Sequence, residues 1–163
     1  MSARSAGVLL YRVRDGAVEV LLGHPGGPFW ANRDDGAWSI PKGEYAAADP
    51  PWEAAAREFA EELGCPLPPG PTIALGTVRQ PGGKSVTAFA VAADLDVGRV
   101  HSNTFSLEWP PGSGRLQKFP ELDRVAWLPV AQARRKLLKG QRPFLDRLMS
   151  HPDLAGLGPG ETP

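Results

Sequence analysis

The chain of 163 residues has one cysteine, Cys65, so it can form no internal disulfide, and this points to a reducing cytoplasm. Following Gly64, Cys65 reads as a small core residue rather than a catalytic thiol. A basic excess is also missing: Lys plus Arg number 18 and Asp plus Glu number 18, which argues against long nucleic acid as a partner. No long hydrophobic run is present. The N-terminal apolar segment Ala6 to Tyr11 is too short for a signal core or a membrane span, and Arg12 and Arg14 end it. No internal repeat and no second domain is apparent. What remains is one soluble domain over residues 1–151, with a Gly- and Pro-rich tail from 152 to 163 expected to be mobile.

The most informative stretch runs from Gly43 to Cys65. Asp49 suits a helix N-cap, Pro50 and Pro51 suit a first turn, and Gly64 suits a left-handed C-cap. Trp52, Ala56, Phe59 and Leu63 recur at helical spacing and predict one apolar stripe. At about 100° per residue, Glu58, Glu61 and Glu62 share a sector of roughly 100° beside that stripe. Acids near a helix C-terminus oppose the macrodipole, and like charges at these spacings repel. A solvated face would interleave Lys and Arg. Arg57 is the one base between Asp49 and Gly64, so the carboxylates ask for a hard divalent cation, Mg²⁺ or Mn²⁺.

These residues resemble the box of the Nudix hydrolase superfamily, which runs Gly, five residues, Glu, seven residues, Arg-Glu-apolar-x-Glu-Glu-x-Gly-apolar. The match falls on Gly43, Arg57, Glu58, Phe59, Glu61, Glu62, Gly64 and Cys65, with Asp49 replacing the first Glu. Glu53 does not replace it, because it projects roughly 140° from Glu58 around the helix. The resemblance implies an α/β fold, a Nudix-type α/β/α sandwich with a mixed β-sheet. It also implies metal ligands at Glu58, Glu61, Glu62 and the Gly43 carbonyl. The catalytic set it implies is Glu58, favoured as general base, with Glu61 and Arg57, the last orienting a carboxylate.

The segment Trp38-Ser-Ile-Pro-Lys42-Gly43 is similar to the dinucleoside polyphosphate and diphosphoinositol polyphosphate branches of that family, and makes Lys42 a candidate phosphate contact. Trp30, in a polar loop, is a candidate for stacking on a base, as are Phe29 and Trp109; Trp127 reads as core. His24 is expected to be satisfied locally. Glu108 is a possible acid from outside the box, with a solvated strand face as the plainer reading. Arg134, Arg135, Lys136 and Lys139 read as a solvated basic face.

The expected function is metal-dependent hydrolysis of a diphosphate linkage in a small-molecule nucleoside polyphosphate, preferably a dinucleoside polyphosphate such as diadenosine tetraphosphate. The alternatives are a nucleoside triphosphate pyrophosphohydrolase and a non-catalytic nucleotide-binding module. A cytoplasmic monomer or homodimer with no membrane partner is expected.

The remaining pattern predicts strands at 6–12 and 17–23 joined at Asp15-Gly16, at 37–40, 73–80, 85–94, 105–109 and 124–128. Helices are predicted over 130–138 and 143–149.

Overall fold

The computed structural model describes residues 3–160. Strands β1 (Arg4–Arg14) and β2 (Ala17–Pro25) form the predicted hairpin. Its turn places Asp15 at φ 52° and Gly16 at φ 76°, the two positive values that a tight right-twisted hairpin requires. Next come β3 (Lys42–Glu44), helix α1 (Pro51–Leu63), β4 (Thr72–Arg79) and β5 (Ser85–Ala92). An arm of β6 (Thr104–Glu108) and β7 (Leu116–Pro120) precedes β8 (Leu122–Pro129), α2 (Val130–Lys136) and α3 (Arg142–Met149).

The main sheet runs β4-β5-β1-β2-β8, with β3 paired to the N-terminal half of β1. β1 and β5 are parallel and the other pairs antiparallel, so the sheet is mixed. Alternation along β1 explains why its sequence is almost continuously apolar. Ala6, Val8 and Leu10 pack under α1 with Phe59 and Leu63, whereas Leu9 and Tyr11 join the opposite cluster with Leu137, Phe144, Leu145 and Leu148. The result is the expected α/β/α sandwich. Phe59 is fully buried at the centre of the α1 face. Phe59→Ala is therefore expected to cost about 3–5 kcal/mol of folding stability, measured by denaturant unfolding.

Several expectations are corrected. Pro50, not Asp49, occupies the N-cap, at φ −63°, ψ 133° and with no side-chain cap. A residue before proline is pushed out of the helical region, so Pro51 delays the helix by one residue. The Asp49 carboxylate instead lies 3.9 Å from Arg57. The buried stripe of α1 is Ala54, Ala55, Phe59 and Leu63, while Trp52 is 38% exposed and meets Phe89 edge-on at 5.3 Å. Small alanines let the helix approach the sheet. Gly64 does adopt the left-handed cap, with its N–H donated to the Ala60 carbonyl.

Residues 37–40 make only isolated bridges, Trp38 with Leu137 and Ser39 with Gly23. The Ile40 N–H is donated to Gln141 Oε1 at 3.0 Å instead of a neighbouring strand, and the ladder begins at Lys42. Strand β7 was not predicted. Its residues are exposed apart from a half-buried Phe119, so no period of burial marks it. Beyond Pro152, the stretch expected to be a mobile tail has Leu154 buried, and Gly158 accepts from the Val18 N–H at 2.9 Å. The basic run on α2 is paired: Arg134 with Asp146 at 2.6 Å, Arg135 with Asp35 at 3.4 Å, and Lys136 with Asp34.

Among the described residues no helix is long and apolar enough to cross a membrane.

Candidate active site

The carboxylates sit on the second half of α1, against β3. Because α1 and β3 lie side by side, Lys42 and Gly43 face Glu62 and Glu58. The Lys42 N–H donates to Glu62 Oε2 at 2.8 Å. A Cβ built on Gly43 would stand 1.9 Å from Glu58 Oε2 and 2.3 Å from its Cδ, so only glycine leaves room for that carboxylate. Gly43 is thus needed for close approach rather than for an unusual backbone angle.

Burial and neighbouring acids act on two of these carboxyls. Burial pushes the Glu62 carboxyl from its ordinary value up to about 7, with Glu121 and Glu58 adding to the rise and the Lys42 amide and ammonium opposing it. Burial also raises Glu58, and Glu61 raises it further by charge and by a hydrogen bond; Arg57 pulls the other way. The Arg57 guanidinium lies 3.6 Å from Glu58 and 3.9 Å from Asp49, which makes it a bridge between the box loop and the helix. At 45% side-chain exposure it neutralises the cluster only in part.

Residues far away in sequence complete the rim. The C-terminal carbonyls of α1 are met by donors from the segment before the arm: His101 N–H to the Leu63 carbonyl at 2.8 Å, and Asn103 Nδ2 to the Glu61 carbonyl at 3.0 Å. The Asn103 carbonyl in turn accepts from the Glu121 N–H at 2.7 Å, and the Glu121 carbonyl accepts from Gly26 at 2.9 Å. This ladder carries Glu121 to the Glu62 carboxyl. Sequence reading missed Glu121, and no spacing signal marks it, because it lies far from the box between Pro120 and Leu122.

Glu108, the acid considered instead, accepts from Gly114 N–H at 2.7 Å and closes the arm's turn. Glu121→Gln is expected to slow turnover about ten- to a hundredfold, whereas Glu108→Gln stays within about twofold; steady-state assays at saturating metal compare them.

Trp30 is half-buried against the core, with the Arg33 guanidinium 5.7 Å from its ring centre, so its stacking face is already partly used. Phe29, 63% exposed, meets Trp109 edge-on at 5.5 Å. His24 is fully buried between Asp123 Oδ1 at 2.7 Å and the Arg33 carbonyl at 2.5 Å, the local satisfaction expected of it.

Among the described residues no three His, Cys, Asp or Glu side chains are gathered closely enough to enclose an ion as they stand. The donor set nonetheless suits a hard cation. Glu58, Glu61, Glu62 and Glu121 are mutually repelling oxygen donors, and the space beside Gly43 is kept clear for a carboxylate.

A mixed sheet between helices, with a glycine-to-helix loop presenting acids at its edge, is the arrangement this chain shares with Nudix proteins of known structure. The chain belongs to the Nudix family: a family model described as NUDIX domain matches residues 1–148, and the protein is a Nudix pyrophosphohydrolase. Similar solved structures include a C. elegans Ap4A hydrolase binary complex, with TM-score 0.59, 20% identity, and coverage of 95% of this chain and 99% of that one. The NUDIX domain of Shewanella oneidensis NrtR complexed with ADP ribose is similar at TM-score 0.59 and 16% identity, covering 91% and 86%. A mutT/nudix family protein from Listeria innocua is similar at TM-score 0.60 and 18% identity, covering 91% and 92%. No protein of curated function matches the chain in sequence.

Proposed function

We propose that the protein hydrolyses a phosphoanhydride bond of a nucleoside polyphosphate with Mg²⁺ or Mn²⁺, its preferred substrate being a dinucleoside polyphosphate such as diadenosine tetraphosphate. The observation that carries the reading is the fit of the Glu58 carboxylate against Gly43 beside the Glu62–Lys42 hydrogen bond. The Trp38-to-Gly43 segment and the similarity to the Ap4A hydrolase favour the dinucleotide.

A divalent cation held by Glu58, Glu61, Glu62 and the Gly43 carbonyl, with Glu121 beside them, would neutralise phosphate charge and acidify an attacking water. Glu58 takes the proton from that water as it attacks phosphorus. The anhydride oxygen leaves with the nucleoside triphosphate, and AMP keeps the new P–O bond. Arg57 holds Glu58 in position from the Asp49 side. The Lys42 ammonium contacts the polyphosphate. Glu61 stands beside Glu58 in the same carboxylate cluster. Trp30 stands at the loop where a base would stack. The working unit is a monomer or homodimer in the cytoplasm.

Product analysis with Mg²⁺ tests this reading. Diadenosine tetraphosphate, nucleoside triphosphates, ADP-ribose and a diphosphoinositol polyphosphate are offered in parallel. Rapid release of AMP plus ATP from the first is expected. Preference for triphosphates would replace the substrate assignment with a nucleotide-pool pyrophosphohydrolase, and tight binding without turnover would replace it with a regulatory module.

A further inference from the structure

A second concave surface lies on the other side of the box loop. It is a cavity of about 780 Å³ between that loop and the β4–β5 hairpin, on the sheet face that α1 covers. The helix begins only at Pro51, so the sheet beyond its N-terminus stays open. Strand register decides what faces the opening. Ser85 on β5 is level with Arg4 on β1 and with Arg79 on β4, and Thr87 is level with Thr77. Side chains level with one another on neighbouring strands share a face. Two guanidiniums therefore rise from strands on either side of Ser85, their Cα atoms roughly 10 Å apart by two strand spacings, within reach of one shared ligand.

Two guanidiniums and one carboxylate, Glu44, line this wall. Among the described residues, neither Arg4 nor Arg79 has a carboxylate within 4 Å, which is also true of Arg33, Arg99, Arg115, Arg142 and Arg147; what sets Arg4 and Arg79 apart is that both line one cavity. Glu44 belongs to the same lining and pairs with neither arginine. Thr77 and Thr87, joined Oγ1 to Oγ1 at 2.7 Å, and Tyr45 add hydroxyl groups. The N-terminus of α1 also opens onto the cavity at Pro51, but Pro50 and Pro51 have no N–H to offer and Glu53 stands in the first turn, so the helix end adds little. Two guanidiniums without a carboxylate partner among the described residues, above a hydroxyl floor, select negative charge with oxygen acceptors.

We propose that this cavity is a second anion site, which takes the phosphate groups of a phosphorylated small molecule independently of the carboxylate cluster. Gly43, Glu44 and Tyr45 are consecutive, so β3 connects this wall directly to Glu58. Two sources share the chemistry: the far end of the molecule being hydrolysed, or a separate phosphorylated effector.

The test is calorimetric titration of inorganic tripolyphosphate into the full chain in metal-depleted buffer. One saturable site is expected. It weakens about tenfold or more in Arg4→Ser/Arg79→Ser. The charge-matched Arg134→Ser/Arg135→Ser and the box variant Glu62→Gln keep it within about twofold, so failure of the catalytic reading leaves this result standing. Absence of saturable binding, equal weakening in the charge-matched pair, or loss in Glu62→Gln alone would overturn the proposal. Thermal unfolding of the arginine variant, whose two changes lie at exposed strand ends, verifies the fold. Kinetics then separate the sources. A raised KM for diadenosine tetraphosphate with competition by tripolyphosphate identifies the far end of the substrate. An altered kcat without competition identifies an effector.

Discussion

Glu62→Gln is expected to lower metal-dependent turnover by about a hundredfold to ten thousandfold while leaving the fold intact. A ligand carboxylate contributes several kcal/mol of transition-state charge stabilisation, and each ~1.4 kcal/mol is a decade in rate. Glutamine keeps the shape, and its carbonyl can still accept from the Lys42 N–H. The same substitution separates the charge of Glu62 from its packing through pH. In the folded, metal-free chain the Glu62 carboxyl stays protonated up to about 7, against an ordinary 4.5. Between those values the folded state holds more protons than the unfolded state, so stability falls as pH rises through the window and levels off above it.

The expected loss is roughly 1–3 kcal/mol, because Glu62 is largely but not wholly buried. Glu58 acts in the same direction. Asp34 and Asp94, whose carboxyls are lowered by Lys136 and by Arg12, act oppositely, but only as pH falls below the ordinary carboxylate value. Melting curves from pH 5 to 8 in metal-depleted buffer should slope downward for wild type and flatten in Glu62→Gln. Parallel slopes, or turnover near wild type in the variant, would sink the assignment of Glu62 as a buried ligand.

Gly43→Ala is the second large effect. The added Cβ would overlap Glu58 Oε2, at 1.9 Å, and the atoms behind it. The obstacle is the end of a flexible side chain, so the carboxylate moves and the backbone stays. The expected outcome is a loss of about a hundredfold or more in kcat/KM with a melting temperature within a few degrees of wild type, since misplacing a catalytic group by about 1 Å costs about that much. Steady-state kinetics and thermal unfolding on one preparation check it. A variant that unfolds, or one that keeps full activity, would contradict the geometry. Gly26→Ala makes a useful contrast. There the Cβ meets the Pro120 carbonyl at 1.9 Å, and a backbone obstacle cannot swing aside.

Local chemistry made much of this legible in advance. The Asp15-Gly16 hairpin, the Gly64 cap and the clustering of Glu58, Glu61 and Glu62 follow from single-residue φ preferences and the angular period of a helix. The sequence reading placed the N-cap at Asp49, one residue early, because the restriction of Pro50 by Pro51 moves the helix start to Pro51. Alternation predicted β4 and β5 because buried residues recur every second position at Ile73 and Leu75 and at Val86, Ala88 and Ala90, with one slip at the Gly76 bulge; β7 has no such recurrence, since the arm it builds stands off the core.

Sequence by itself determined the class of the protein and the acids on one helix face, because those depend on spacings within a single element. Tertiary structure alone decided which distant groups meet them. Glu121 is brought near enough to act on Glu62 by charge through hydrogen bonds of the Asn103 backbone and side chain, and Glu108 is spent on its own turn. Arg4 and Arg79 share a cavity only because β1, β5 and β4 are neighbours in register. Strand order and register are properties of the packed sheet, and no local propensity encodes them.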